Sequence, residues 1–246
     1  MSENESIIID DLIVLGRAVP SELRDRRRTI CTAGFSPTLG FIRIYPTSYD
    51  SPLKRWNIVR VEVERAISPR FNGRSESWKI VGARDEWRYI RDKIEVIDEL
   101  PRERWPELLS SLVDDCVCDI EDADRSLGII KPRVILDTYF EDNKDYVGRQ
   151  MMLDGRFRIM TKKEFKYEPR IRYECTNCRI GRGYHDQQLL EWGVYEWVRK
   201  YPDNMNQVWD NLGLTNPDYE KYFFVGNQLQ YQNSFMVISV LRFKKS

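Results

Sequence analysis

The chemistry-bearing residues of this chain cluster in its last third. Cys175-Thr-Asn-Cys178 is followed seven residues later by His185-Asp186, and His185 is the single histidine. A Cys-x2-Cys pair lets two thiolates reach one metal ion from a tight turn, and imidazole is a further donor that zinc favours. Thr176 and Asn177 suit such a knuckle, and Gly181-Arg-Gly183 gives the chain the freedom to bring His185 back. Cys175, Cys178 and His185 are therefore the expected metal ligands, and zinc the expected ion. The fourth ligand is Cys116, Cys118, Cys31, Asp186 or water. A protein donor makes the centre structural, whereas a water makes Lewis-acid chemistry available.

A catalytic reading is the alternative: a metal-dependent enzyme acting on nucleic acid or nucleotides, with His185, Asp186 and a coordinated water at its centre. A helix is expected from about residue 186 to 200, and on it Asp186 and Glu191 would stand roughly 140° apart. That is too far to share a cation, and Asp186 reads more simply as the helix N-cap. The sequence has no P-loop, nucleophile elbow or dinucleotide fingerprint. No catalytic residue is assigned.

A basic, aromatic stretch precedes the histidine. Lys162, Lys163, Lys166, Arg170, Arg172, Arg179 and Arg182 outnumber Glu164, Glu168 and Glu174, with Tyr167, Tyr173 and Tyr184 interleaved. Cations that track phosphates beside rings that stack bases make a nucleic-acid surface. The expected contacts are Lys162, Lys163, Arg170, Arg172, Arg179 and Arg182, with Tyr173 and Tyr184 as platforms. Arg43 and Tyr45 would add to them from the first half. A third reading is a protein-binding adaptor subunit of a larger complex, its charge patches facing a protein partner.

The elements that must position these groups read as two strand-rich halves. Segments 7–15, 28–33, 41–45, 57–64 and 77–81 alternate or carry β-branched runs, separated by Gly, Pro and Ser turns, which predicts five strands and a small barrel. On the third, Phe41, Arg43 and Tyr45 share one face and Ile42 and Ile44 the other. Helical spacing follows at 85–94 and 101–113. Residues 84–125 hold 14 acidic and 7 basic side chains, and 114–126 reads as a solvated acidic connector. The second half, 127–246, has strands expected at 133–140, 156–160, 165–173, 223–225 and 235–243, and helices at 186–200 and 206–212. The predicted class is α+β: two small, OB-like β-barrel halves with interposed helices and a zinc-knuckle-like insertion. The domains are 1–113, the 114–126 connector and 127–246.

Composition bounds the function. Lys plus Arg and Asp plus Glu each number 39, so the chain does not coat nucleic acid by bulk charge, although a local basic groove is compatible with that balance. The acidic first residues lack a signal-peptide pattern, and no apolar run is long enough to span a membrane. Five cysteines without disulfide spacing fit the reducing cytoplasm.

Four segments of the first half, Thr29-Ile-Cys-Thr-Ala-Gly34, Gly40-Phe-Ile-Arg-Ile-Tyr-Pro46, Ile58-Val-Arg-Val-Glu-Val63 and Glu76-Ser-Trp-Lys-Ile80, resemble in order and spacing the Cys-x-Ala-Gly, Ile-Arg-Pro and Glu-Asn-Trp pattern of prokaryotic dual OB-containing domain proteins. Here Ile44 and Tyr45 separate Arg43 from Pro46, and Ser77 stands where that pattern has asparagine. The resemblance covers about residues 28–82. It implies a barrel, nucleic-acid binding and a place in a defence or mobile-element system. The expected function is therefore a nucleic-acid-binding or sensing protein with a structural metal site.

Overall fold

The computed structural model describes residues 6–66, 74–148, 159–228 and 232–245. In chain order the strands and helices are β1 (Ser6–Arg17), β2 (Ser21–Glu22), β3 (Arg28–Ser36), β4 (Gly40–Thr47), β5 (Asn57–Arg65), β6 (Ser77–Ile80), β7 (Ile94–Glu99), α1 (Trp105–Ser111), β8 (Val113–Asp114), α2 (Val117–Asp122), β9 (Leu127–Ile130), β10 (Val134–Asp142), β11 (Tyr167–Glu174), β12 (His185–Gln188), α3 (Trp192–Lys200), α4 (Gln207–Asn211), β13 (Tyr219–Asn227) and β14 (Phe235–Lys244). The protein is a mostly-sheet α+β chain with few helices.

Five strands close into a barrel in the order β1-β3-β4-β6-β5, with β5 returning to β1. Closure rests on β1, which serves two neighbours. Its residues Ser6–Ile13 pair with β5 and Ile13–Arg17 with β3, with register shifts at Ile9/Leu12 and Val14/Gly16. Such irregularities bend a strand and raise its twist, which is what turning a barrel corner needs. The β4–β6 pairing is parallel, whereas the other four barrel contacts are antiparallel. Alternation in sequence becomes inside and outside in space. Ile42, Ile44, Val59, Val61 and Val63 fill the barrel with Ile9, Leu12 and Ile80, while Arg60 and Glu62 face water.

Gly34 is a requirement of the closure. A Cβ there would stand 2.1 Å from the Ile13 carbonyl oxygen, so β1 and β3 approach as they do only because that atom is absent.

In the second half, β10-β11-β12 form one antiparallel sheet and β14-β13-β9-β8 another. A parallel bridge between Leu189 and Val237 links them past the end of β12. The halves share a core in which Ile13, Leu15 and Phe41 of the first pack with Leu127, Phe224 and Ile238 of the second. No helix of the described residues is long and apolar enough to cross a membrane.

Two expectations change, and a third falls outside what is described. Residues 87–93 form a 3₁₀ helix leading straight into β7, which adds to the free edge of β5, where backbone pairing outweighs the helical spacing of Trp87, Ile90 and Ile94. The connector is not a solvated tether: Cys116, Val117 and Ile120 are buried in the second half's core, and only the acidic face of α2 meets water. The expected strand at 156–160 lies largely outside the described residues.

Gly34→Ala should destabilise the fold by about 3 kcal/mol, the upper end for overpacking, because backbone must move. Gly193→Ala, on α3 with nothing nearer than 3.9 Å, should be neutral or stabilise by up to about 1 kcal/mol. Urea denaturation of both variants checks the pair.

Candidate metal centre and neighbouring surfaces

Cys116, Cys175, Cys178 and His185 bring one ligand atom each to a common point, all four within 4.8 Å of one another. Cys175 and Cys178 lie on the turn after β11. His185 opens β12 directly opposite Tyr173 in the ladder, and the Tyr173 ring lies against the imidazole at 5.2 Å. Cys116 arrives from the connector as the N-cap of α2, fixed by a 2.8 Å hydrogen bond from its own N–H to Asp119 Oδ2. The His185 Nε2 stands 3.5 Å from Cys116 Sγ and 3.6 Å from Cys178 Sγ. A tetrahedral ion with bonds of about 2.3 Å to sulfur and about 2.0–2.1 Å to nitrogen sets those edges at about 3.6 Å. The cluster could hold a metal ion, and Cys116 is the fourth donor.

The surroundings suit an ionised sulfur at Cys116 and a neutral imidazole at His185, forms that ligate, and oppose the thiolate at Cys175. Burial opposes ionisation of Cys116. The backbone N–H groups of Cys118 and Arg179 and the thiols of Cys118 and Cys175 outweigh it and hold Cys116 below the usual thiol range. Burial pushes Cys175 well up, with the Cys116 charge adding to it, while the Val117 N–H works the other way. Burial, then the Arg182 charge, pulls His185 down to about 4. Cys118 is not among the four; burial, then its Cys116 neighbour, pushes it up to about 11. Cys31 lies in the first half, away from the cluster.

Asp186 is not an N-cap. It sits on β12 opposite Arg172, and α3 starts at Trp192. Alternation turns His185 inward to the sulfurs and Asp186 to the other face. There its carboxylate takes Arg170 Nε at 3.0 Å, Arg172 Nη2 at 2.9 Å and the Tyr139 hydroxyl at 2.8 and 2.9 Å. Burial works against the charge, but Arg172, Tyr139 and Arg170 together hold the carboxyl below its ordinary value.

The expected phosphate-tracking surface is accordingly spent in part on the fold. Arg170 and Arg172 clamp Asp186. Lys162 bonds Gln188 and Glu168, and Arg179 ties the knuckle to Asp119 and Asp122 of α2. Tyr173 is no stacking platform: it points inward, donates to Gln187 Oε1 at 2.9 Å and packs edge-on against Phe223. Lys163 and Arg182 are exposed, and Tyr184 is half-buried with Arg172 and Arg182 over its ring. Arg43 is buried and Tyr45 half-buried on the wall of a cavity between the halves.

A groove of about 1100 Å³ escaped the sequence reading. Arg17, Arg55, Arg102, Arg242 and Lys244 line it against Glu103 and Glu191, together with Trp56, Trp105 and Trp192. Glu191 is already engaged, accepting from Arg55 at 2.6 Å and from the Val240 N–H at 2.8 Å. Trp56 and Trp105 stack at 4.3 Å, and Arg17 lies 4.9 Å over Trp192. The Trp192 indole N–H and the Arg17 Nε–H are buried without an acceptor. These residues come from many separated segments, and no local spacing joins them.

Barrel and cluster together define a barrel-containing, mostly-β protein with a four-donor Cys/His centre. Residues 9–109 match a family described as a domain of unknown function, DUF8758, and residues 114–246 match a second, DUF8757. The second match spans more than half of the chain, and the chain belongs to that family. No curated protein and no solved structure matches it.

Chelation with phenanthroline should lower the melting temperature, and Cys116→Ser should lower it as much as Cys175→Ser does, whereas Cys118→Ser should leave it nearly unchanged. Equal melting with and without chelator would remove the metal. A second expectation concerns acid. The stability that Asp186 contributes is complete above the ordinary carboxylate pKa of about 3.9 and is lost as pH falls through its lower folded value. Asp186→Asn should therefore lose stability at neutral pH and show a flatter acid limb in a pH series of thermal melts.

Proposed function

We propose that the protein is a nucleic-acid-binding module of two OB-type barrels, braced by a structural zinc ion. The strand order of the first barrel, closed through a single parallel contact, supports the OB reading. On this reading the two sheets of the second half are the parts of a second such barrel. Only residues 131–133 separate β9 from β10, so the two read as one bent first strand that pairs with β13 on one side and β11 on the other. The Leu189–Val237 bridge is the parallel contact, and α3 lies between the third and fourth strands, where OB folds carry a helix.

Three thiolates and an imidazole are a zinc-type donor set, and four protein ligands leave no open position for a substrate or water. With Asp186 committed to Arg170 and Arg172, the donor arrangement favours bracing over hydrolysis.

The observation that carries the binding reading is the arginine–tryptophan groove. Its cations exceed its carboxylates, one carboxylate is already neutralised, and aromatic faces stand beside guanidinium groups. A single strand would meet phosphate partners there, with the half-buried Trp105 and Trp192 as stacking partners, since Trp56 is buried against Trp105. Trp56 forms part of the wall with its backbone in the left-handed region, φ 72°. Hydrogen bonds to Val14 O and from Leu100 N, both 2.8 Å, hold it there.

Binding of a fluorescent single-stranded oligonucleotide should weaken linearly with log salt, with a slope of about −0.7 per phosphate contact. Arg102→Glu and Lys244→Glu, both at exposed positions, should each weaken binding and flatten that slope while melting stays unchanged. No binding to DNA or RNA strands at low salt would sink the reading.

A further inference from the structure

A second cavity, of about 700 Å³, lies between the first barrel and the second half. Residues from the segments that carry the family resemblance form much of its wall, among them Cys31, Arg43, Tyr45 and Trp78. The second half closes it with Gly226–Gln228 and Met236. Close packing here depends on Gly226, where a Cβ would stand 2.7 Å from Ile238 Cδ1 and 3.0 Å from Arg43 Nη2.

The charges in this wall are unusual. Arg43 is 6% exposed, and its hydrogen bonds go to neutral acceptors: Ser126 Oγ at 3.0 Å, Ser126 O at 3.1 Å and Asn227 O at 3.5 Å. Arg74 bonds the same Asn227 carbonyl at 3.0 Å and Asn227 Oδ1 at 2.6 Å. Two guanidinium groups thus converge on one oxygen, and among the described residues neither has an ion pair. Glu76 is the carboxylate that offsets them; its Oε2 accepts from the N–H and hydroxyl of Ser126, and its Oε1 is buried with no donor. The Cys31 thiol, pushed up by burial, stays protonated and adds no counter-charge. Burial, then the Arg43 charge, brings Arg74 down to about 10, so it remains a cation at neutral pH. Its Nε–H is buried with no acceptor, as is the indole N–H of Trp78.

A buried and a half-buried guanidinium that share one neutral acceptor are costly unless an anion completes them. Glu76 balances one guanidinium, which leaves one positive charge and the unused donors. A phosphate monoester carries a charge of about −1.5 to −2 at neutral pH and several acceptor oxygens, enough for both groups and the unused donor. The rest of the wall, with Val19, Leu190, Met236 and Ile238 beside the Tyr45 ring, suits an apolar or aromatic body. The volume lies within the range of small-molecule sites, about 300–1,000 Å³.

We propose that this cavity is a binding site for a phosphate monoester carried on an aromatic body of nucleotide size, with Arg43 and Arg74 holding the phosphate. The ligand is either a free mononucleotide or the phosphorylated end of a strand. The site does not depend on the groove reading.

The test uses the full chain and calorimetry with adenosine 5′-monophosphate, adenosine, inorganic phosphate, and a short oligonucleotide with and without a 5′-phosphate. Binding of the monophosphate, loss of at least tenfold in affinity without its phosphate, and a similar loss in Arg74→Gln at unchanged melting temperature support the site. Inorganic phosphate competing with the monophosphate supports it too. Oligonucleotide binding that requires the 5′-phosphate, with the mononucleotide silent, supports it and assigns the source to a strand end. Silence of every phosphate at millimolar concentration overturns it, as does binding that Arg74→Gln leaves intact. Strand binding indifferent to the 5′-phosphate, with the mononucleotide silent, overturns it while leaving the groove reading standing.

Discussion

Sulfur atoms buried beside an imidazole form an arrangement that burial alone disfavours, since thiolates lose hydration and thiols make weak hydrogen bonds. Convergence of Cys116, Cys175, Cys178 and His185 is the constraint on which the second half depends. It joins the start of α2 to the turn after β11 and the first residue of β12, adding to the β11–β12 ladder and the packing of α2. Arg179 repeats the link on the surface through Asp119 and Asp122. Once His185 is drawn inward at the head of β12, Asp186 must face the other way, and its carboxylate sets the positions of Arg170, Arg172 and Tyr139. One metal-type cluster thereby organises both faces of the β10-β11-β12 sheet.

How much of this was legible follows from the range over which each signal acts. The five barrel strands were readable because alternation is local: Val59, Val61 and Val63 announce their face by themselves. Three of the four donors were readable because they lie within eleven residues of each other. Cys116, 69 residues before His185, could be named only as one candidate among several, since sequence spacing carries no information across a fold. Asp186 was misread because a short strand followed by a helix has the same apolar pattern as one longer helix. Ladder pairing with β11 decides between them, and that is a tertiary fact. The arginines at 170 and 172 show the same limit. Their charge is visible in sequence, but their partner is not.

Net charge behaves in the same way. Equal numbers of acids and bases give no bulk field, yet the pairing is uneven in space. Carboxylates are consumed in ion pairs such as Arg170–Asp186 and Arg55–Glu191, and cations are left over in two concave places. In the groove the surplus is partly exposed and lies beside tryptophan faces, which suits a polymer that makes many weak, screened contacts. In the cavity a buried guanidinium, Arg43, and a half-buried one, Arg74, face the single carboxylate of Glu76, which suits one compact, strongly charged group.

That difference in burial is also a difference in what each site can discriminate. An exposed arginine keeps its water and contributes mainly to rate and salt dependence of association. A buried one, left unfilled, holds desolvated donors, so a ligand that fills them gains more than the contact itself, and one that cannot is rejected. Both concavities lie where the halves meet, across the core shared by Ile13, Phe41, Leu127 and Phe224. The packing of the two halves, framed on one side by the barrel's closure through β1 and on the other by the cysteine–histidine cluster, is the element that both concavities share.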